Sequence, residues 1–188
     1  MIGDDGGYGR AGTMGPVVAT WPEGVERVAA FLRDAGVEAR LEELPAGTAT
    51  AQDAANAAGC RLEQVVKTLV FDCDGSPVVA LLPGDRRADP AKLALAVGAA
   101  SARPATAELV ERATGFTPGS VAPFPLPGIE KVLMERTLLA HDTVWIGAGS
   151  AKHLASLAPT DLLRLSRAEA MDAVQEPAYH SSGAKGDA

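Results

Sequence analysis

Residues 65–83, VVKTLVFDCDGSPVVALLP, constrain the fold of this chain more than any other stretch. Two apolar runs flank Asp74-Gly75, and an Asp-Gly pair between such runs is a strong short-range signal for a β-hairpin. VVKTLVFD reads as a buried strand, and the residue near its centre that does not suit one is Lys67. Side chains alternate along a strand, so Val65, Lys67, Leu69 and Phe71 share one face while Val66, Thr68 and Val70 take the other. A lysine among such neighbours either snorkels to water at the strand mouth or lines a cavity where an anion meets it. The residues alone leave both readings open.

Around this hairpin the chain alternates helix and strand signals without a strict βαβ order. EGVERVAAFLRDAG, 23–36, predicts a helix with Val25, Val28, Ala29 and Leu32 on one face and a stop at Gly36. Residues 37–44 alternate like a half-exposed strand. Thr50, Asp53 and Gly59 cap and stop a second helix, and Asp89, Pro90 and Gly98 do the same for a third. Thr106 and Gly115 bound a fourth. The Gly- and Pro-rich stretch 115–128 is a shaped loop. IEKVLM, TVWIGA and HLASLA read as strands, GAGSAK (147–152) as a tight turn, and a last helix follows with Thr160 as its expected cap. This mixture predicts an α+β fold: a compact mixed β-sheet, barrel-like, with flanking helices.

The 188 residues suit one domain with a real core. We expect flexible tails at 1–16 and 176–188 around a single domain at 17–175. The net charge of −7 argues against strong nonspecific binding to nucleic acid or an anionic membrane, though not against a local basic groove. Arg86, Arg87 and Lys92 form one candidate basic cluster, and Lys131, Arg136 and Lys152 another. Cys60 and Cys73 read as reduced thiols. The sequence has no run of about 18 apolar residues and no secretory signal pattern, so a cytoplasmic protein without a membrane span is expected.

Few residues offer chemistry outright. His141, His153 and His180 are scattered, and no two stand at metal-ligand spacing. A triad of Ser120, His141 and Asp142 can be drawn, but Ser120 lacks the strand–turn–helix elbow that exposes a nucleophilic serine. Gly115, Gly119 and Gly128, stiffened by Pro118 and Pro123, make a loop whose bare N–H groups can hold an anion or a carbonyl oxygen. GAGSAK is neither a Walker loop nor a dinucleotide fingerprint.

VVKTLVF, GFTPGSVAPF, LLAHDTVWIGAGS and LAPTDLLRL stand in an order and spacing that resemble the YbaK/EbsC family. That family includes the editing domain inserted in bacterial prolyl-tRNA synthetases. The resemblance covers about residues 24–168. It implies a metal-free, cofactor-free aminoacyl-tRNA deacylase acting on a mischarged small amino acid, most often cysteine or alanine on the proline tRNA. Aminoacyl-tRNA, and with it a tRNA synthetase, are the implied partners.

The family's lysine falls on Lys67 and its loop glycine on Gly119, the two implied catalytic positions. Pro123 matches the proline that follows. Discrimination by pocket size makes Val65 and Leu69 candidate walls, and Ser120, Gly149 and Ser150 are further expected substrate-binding positions. Many members carry a second glycine where this chain has Ser120. Cysteine-specific members carry a GGKRG type of turn where this chain has AGSAK, 148–152. The alanine-editing branch has a histidine near this turn, and His153 is not equated with it. A noncatalytic module for a nucleotide or an aminoacyl-adenylate-like ligand, or a synthetase-associated adaptor, is the alternative. A basic apron around Lys67 would favour the enzyme.

Overall fold

A computed structural model describes residues 21–44 and 50–176. The expected tails, apart from Glu176, lie outside the described residues, as do His180 and 17–20 of the expected domain. Five helices and eight strands run in the order α1 (Glu23–Asp34), β1 (Arg40–Glu43), α2 (Ala51–Ala58), β2 (Val65–Cys73), β3 (Ser76–Pro83), α3 (Pro90–Val97), β4 (Arg103–Pro104), α4 (Ala107–Thr114), β5 (Lys131–Glu135), β6 (Val144–Gly147), β7 (His153–Leu157), α5 (Pro159–Ser166) and β8 (Glu169–Met171). Short 3-10 turns at Leu62–Gln64 and Arg136–Ala140 precede β2 and follow β5.

The hairpin is the centre of the fold. β2 and β3 pair from Val66↔Pro83 to Cys73↔Ser76, leaving Asp74-Gly75 as a two-residue loop. Both loop residues have positive φ, 52° and 91°, as a type I′ turn requires. The strands form one mixed sheet in the order β1-β7-β6-β2-β3-β5-β8, with β4 beside the far end of β2. β2–β6, β3–β5 and β5–β8 are parallel and the other pairs antiparallel. The path ends at β1 and β8, and no ladder among the described residues closes it into a barrel.

The helix starts follow their caps. Thr50 and Asp53 exchange a capping box at the head of α2, and the Asp89 side chain accepts from Ala91 and Lys92 at the head of α3. The cap expected at Thr160 is wrong. Ala158 is the cap of α5 and Pro159 its first residue, so a fixed φ rather than a side chain starts that helix.

Three apolar clusters flank the sheet. The largest joins Val66, Val70, Val79 and Leu81 to α1, α4, α5 and the Phe116–Phe124 part of the loop. On the opposite face, Val65, Trp145 and Leu154 pack on α2. Farther along that face, Phe71, Val78, Leu82 and Leu133 pack on Leu93 of α3. Lys67 and Leu69 fall between these two smaller clusters. That gap is why a lysine is tolerated in this strand.

Candidate active site

The cavity of interest opens where β2 loses its neighbours. β6 pairs only with Val65 and Val66, and β4 only with Phe71 and Asp72. Into the interval between them opens a cavity of about 230 Å³. Val65, Lys67, Leu69 and Leu154 line it from the α2 face, and Val66, Thr68 and Val121 from the main-core face. Gly119, Gly147, Ser150, Ala151 and His153 lie on the rim.

Lys67 is half-buried, and its ammonium donates to the main-chain carbonyl of Arg86 on the loop after β3. Burial pushes its pKa below the usual lysine value. Asp85 opposes that shift and Arg87 adds to it. The carbonyl partner was not legible in the sequence, because Arg86 lies beyond the next strand. One carbonyl satisfies one of three ammonium N–H groups, so two remain for a ligand.

Gly119 sits at the third position of a turn closed by the Ser120 N–H donating to the Thr117 carbonyl at 3.0 Å. Pro118 precedes it and its φ is +84°, the conformation of a type II turn. Ser120 spends its N–H on the turn, while the Gly119 N–H has no partner among the described residues.

The expected substrate-binding residues divide. Val65, Leu69 and Ser150 line the cavity with Lys67 and Gly119. Ser120, Pro123 and Gly149 do not. Pro123 is buried beside a separate groove lined by Arg27 and Phe31. Gly149, at φ +88°, lies against the backbone of Gly24, so its missing side chain lets α1 approach the turn after β6. Pro123 was expected here through the resemblance, but burial turns it to the neighbouring groove, and close packing on Gly24 accounts for Gly149.

His153 is the residue that sequence reasoning set aside and the fold brings in. It opens β7, is buried, and hydrogen-bonds Ser150 Oγ through Nδ1 at 2.6 Å. Its ring meets Trp21 edge-on at 5.2 Å between centroids. The usable signal was its place as the first residue of a strand beginning three residues after Ser150 in a tight turn.

Neither basic cluster survives as expected. Lys92 pairs with Asp172 at 2.7 Å and donates to the Val174 carbonyl. Arg86 faces Asp85 at 3.4 Å. Lys131 begins β5 and Arg136 follows its last residue, so their backbones are separated by the whole strand. Arg87 and Lys152 are exposed, sit beside Lys67's carbonyl partner and the rim residue Ala151, and have no ion pair among the described residues.

Comparison with known proteins agrees with this geometry. Residues 45–165 match the family described as aminoacyl-tRNA editing domain. The chain belongs to that family. It is 40% identical over 115 residues to a proline–tRNA ligase of Nitratidesulfovibrio vulgaris, covering 60% of this chain and 20% of the ligase. It is 33% identical over 98 residues to the ligase of Streptococcus thermophilus, covering 52% of this chain and 16% of the ligase. The chain thus spans a fifth or less of these relatives.

A crystal structure of a candidate trans-editing enzyme for prolyl tRNA synthetase superposes with a TM-score of 0.77 at 32% identity, covering 84% of this chain and all of that one. A structure of a hypothetical protein does so with a TM-score of 0.72 at 28% identity, covering 79% and 99%. The α+β editing-domain fold and the relationship to the prolyl-tRNA synthetase editing region are therefore established. No helix among the described residues is long and apolar enough to cross a membrane.

Proposed function

We propose that this protein is a trans-acting aminoacyl-tRNA deacylase, clearing a mischarged small amino acid from tRNA, with cysteine or alanine on the proline tRNA as the first candidates. The observation that carries this is the single cavity joining Lys67, the Gly119 turn and His153 in a chain of the editing-domain family. Water attacks the ester carbonyl carbon, the bond to the ribose oxygen breaks, and the ribose oxygen takes a proton. The Gly119 N–H donates to the oxygen that becomes negative. The free N–H groups of Lys67 hold a phosphate or ribose oxygen of the terminal adenosine.

Among the described residues lining the cavity there is no carboxylate. This favours a substrate-assisted route, in which a ribose hydroxyl positions the water and the protein supplies geometry. Size supplies selection. The volume of about 230 Å³ is smaller than the ~300 Å³ at which drug-sized ligand sites begin. His153 and Val65 set the walls against a larger side chain. Exposed Arg87 and Lys152 offer phosphate contacts at the mouth, and so reconcile tRNA binding with an acidic chain. The protein would act in the cytoplasm, where tRNA is charged. The test is release of amino acid from tRNAs mischarged with Cys, Ala, Ser and Thr. Hydrolysis of at least one is expected, and no hydrolysis by the folded protein would replace this reading with a noncatalytic binding module.

A further inference from the structure

Strand β2 leaves one residue's main chain open toward the cavity. The Ala105 N–H donates to the Val70 carbonyl at 3.0 Å, so Val70 directs its polar groups to the edge opposite β3. Main-chain groups alternate between the two edges of a strand. Val66, Thr68 and Val70 therefore address that edge, while Lys67 and Leu69 address β3. β6 covers Val66, and Val70 has Ala105. Thr68 is left between them, with no partner for its N–H or C=O among the described residues. Its Oγ1 is fully buried and also lacks a partner. Main-chain groups in folded proteins are nearly always paired, so the open N–H and C=O of Thr68 beside the cavity are where a ligand's acceptor and donor fit.

We propose that Thr68 binds the aminoacyl group as a one-residue strand. In a hydrogen-bonded antiparallel pair, two residues exchange both N–H···O bonds. An aminoacyl ester carries the same amine, Cα and carbonyl. Its carbonyl oxygen accepts from the Thr68 N–H and its α-amine donates to the Thr68 carbonyl. The carbonyl oxygen then lies between two main-chain donors, Thr68 and Gly119, which is the arrangement that stabilises an oxyanion. The site thus selects esters of α-amino acids over plain acyl esters of equal size. This inference rests on the deacylase reading above and assigns the atoms that read its substrate.

The experiment compares alanyl-tRNA with propionyl-tRNA, which keeps the carbonyl and size but lacks the amine, using wild type and Thr68→Val. Wild type is expected to prefer the alanyl ester by about a hundredfold, because a site built to hydrogen-bond an amine rejects the analogue without one. Thr68→Val removes the hydroxyl and keeps the shape. It also keeps both main-chain groups, so the preference for the alanyl ester should persist, and loss of that preference would overturn the main-chain reading. In parallel, amide hydrogen exchange is followed with the non-hydrolysable 3′-alanylamino-3′-deoxyadenosine. The Thr68 amide should become protected, and the propionylamino analogue should protect it less. Equal rates on both esters would overturn the proposal while leaving the deacylase reading intact. Failure to hydrolyse any aminoacyl-tRNA would sink the deacylase reading, and an unprotected Thr68 amide would sink the proposal itself.

Discussion

The ammonium of Lys67 donates to the main-chain carbonyl of Arg86, on the loop that follows β3. The lysine is therefore held over the gap between two apolar clusters rather than free to snorkel. Its pKa is lowered chiefly by burial. A lysine with a lower pKa in the folded state than in the unfolded chain carries its full charge penalty below the folded pKa. That penalty fades as pH rises toward the ordinary 10.5. Lys67→Met removes the penalty and loses one hydrogen bond. At pH 7 its urea midpoint should equal or exceed that of wild type, and the difference should shift in favour of wild type as pH approaches 10. A clearly lower midpoint at pH 7 would show that the carbonyl bond outweighs burial.

Gly119→Ala separates backbone conformation from space. A Cβ there meets nothing within 4 Å, yet φ is +84°. The strain should cost about 1 kcal/mol. Gly98, the left-handed cap of α3 at φ +69°, is equally open and lies outside the cavity. Gly98→Ala should cost the same stability and leave deacylation unchanged, whereas Gly119→Ala should lower kcat/KM about tenfold by moving one oxyanion donor. Matched melting curves with unequal kinetics are the readout.

Glu135 is buried, at 2% exposure, at the end of β5. One carboxylate oxygen accepts from the Thr137 N–H at 3.1 Å and the other from the Ala173 N–H at 2.7 Å. Glu135→Leu strands both donors and should cost about 2–4 kcal/mol in denaturant unfolding. Activity per folded molecule should persist, because the carboxylate is not part of the cavity wall.

Gly24 and Gly149 touch backbone to backbone, and a Cβ on either lands on the other's carbonyl. Gly24→Ala should lower stability by about 1–3 kcal/mol, the usual cost of overpacking. Because Gly149 adjoins Ser150, the same change should also disturb the Ser150–His153 bond, read as a shifted His153 ring resonance in NMR. An unshifted resonance in a destabilised variant would confine the contact to packing.

The hairpin was legible because Asp74-Gly75 and its flanking runs are local signals, and the capped helices were legible for the same reason. β4 and β8 escaped because strands of two and three residues carry no period. The parallel pairing of β3 with β5 depends on which chain ends meet in space. Lys67 stood out by chemistry against its neighbours, and Gly119 through resemblance. Thr68 was unremarkable in sequence, since its meaning comes from where two other strands stop. Gly149 looked like part of a substrate turn because a glycine's role is decided by what approaches it.

The most direct measurement is deacylation of alanyl- and cysteinyl-tRNA for proline by wild type and Lys67→Ala, with folding of both verified by circular dichroism. The account predicts hydrolysis by wild type and a loss of at least about a hundredfold in the variant, the scale of one catalytic contact. Hydrolysis at wild-type rates by Lys67→Ala would contradict it.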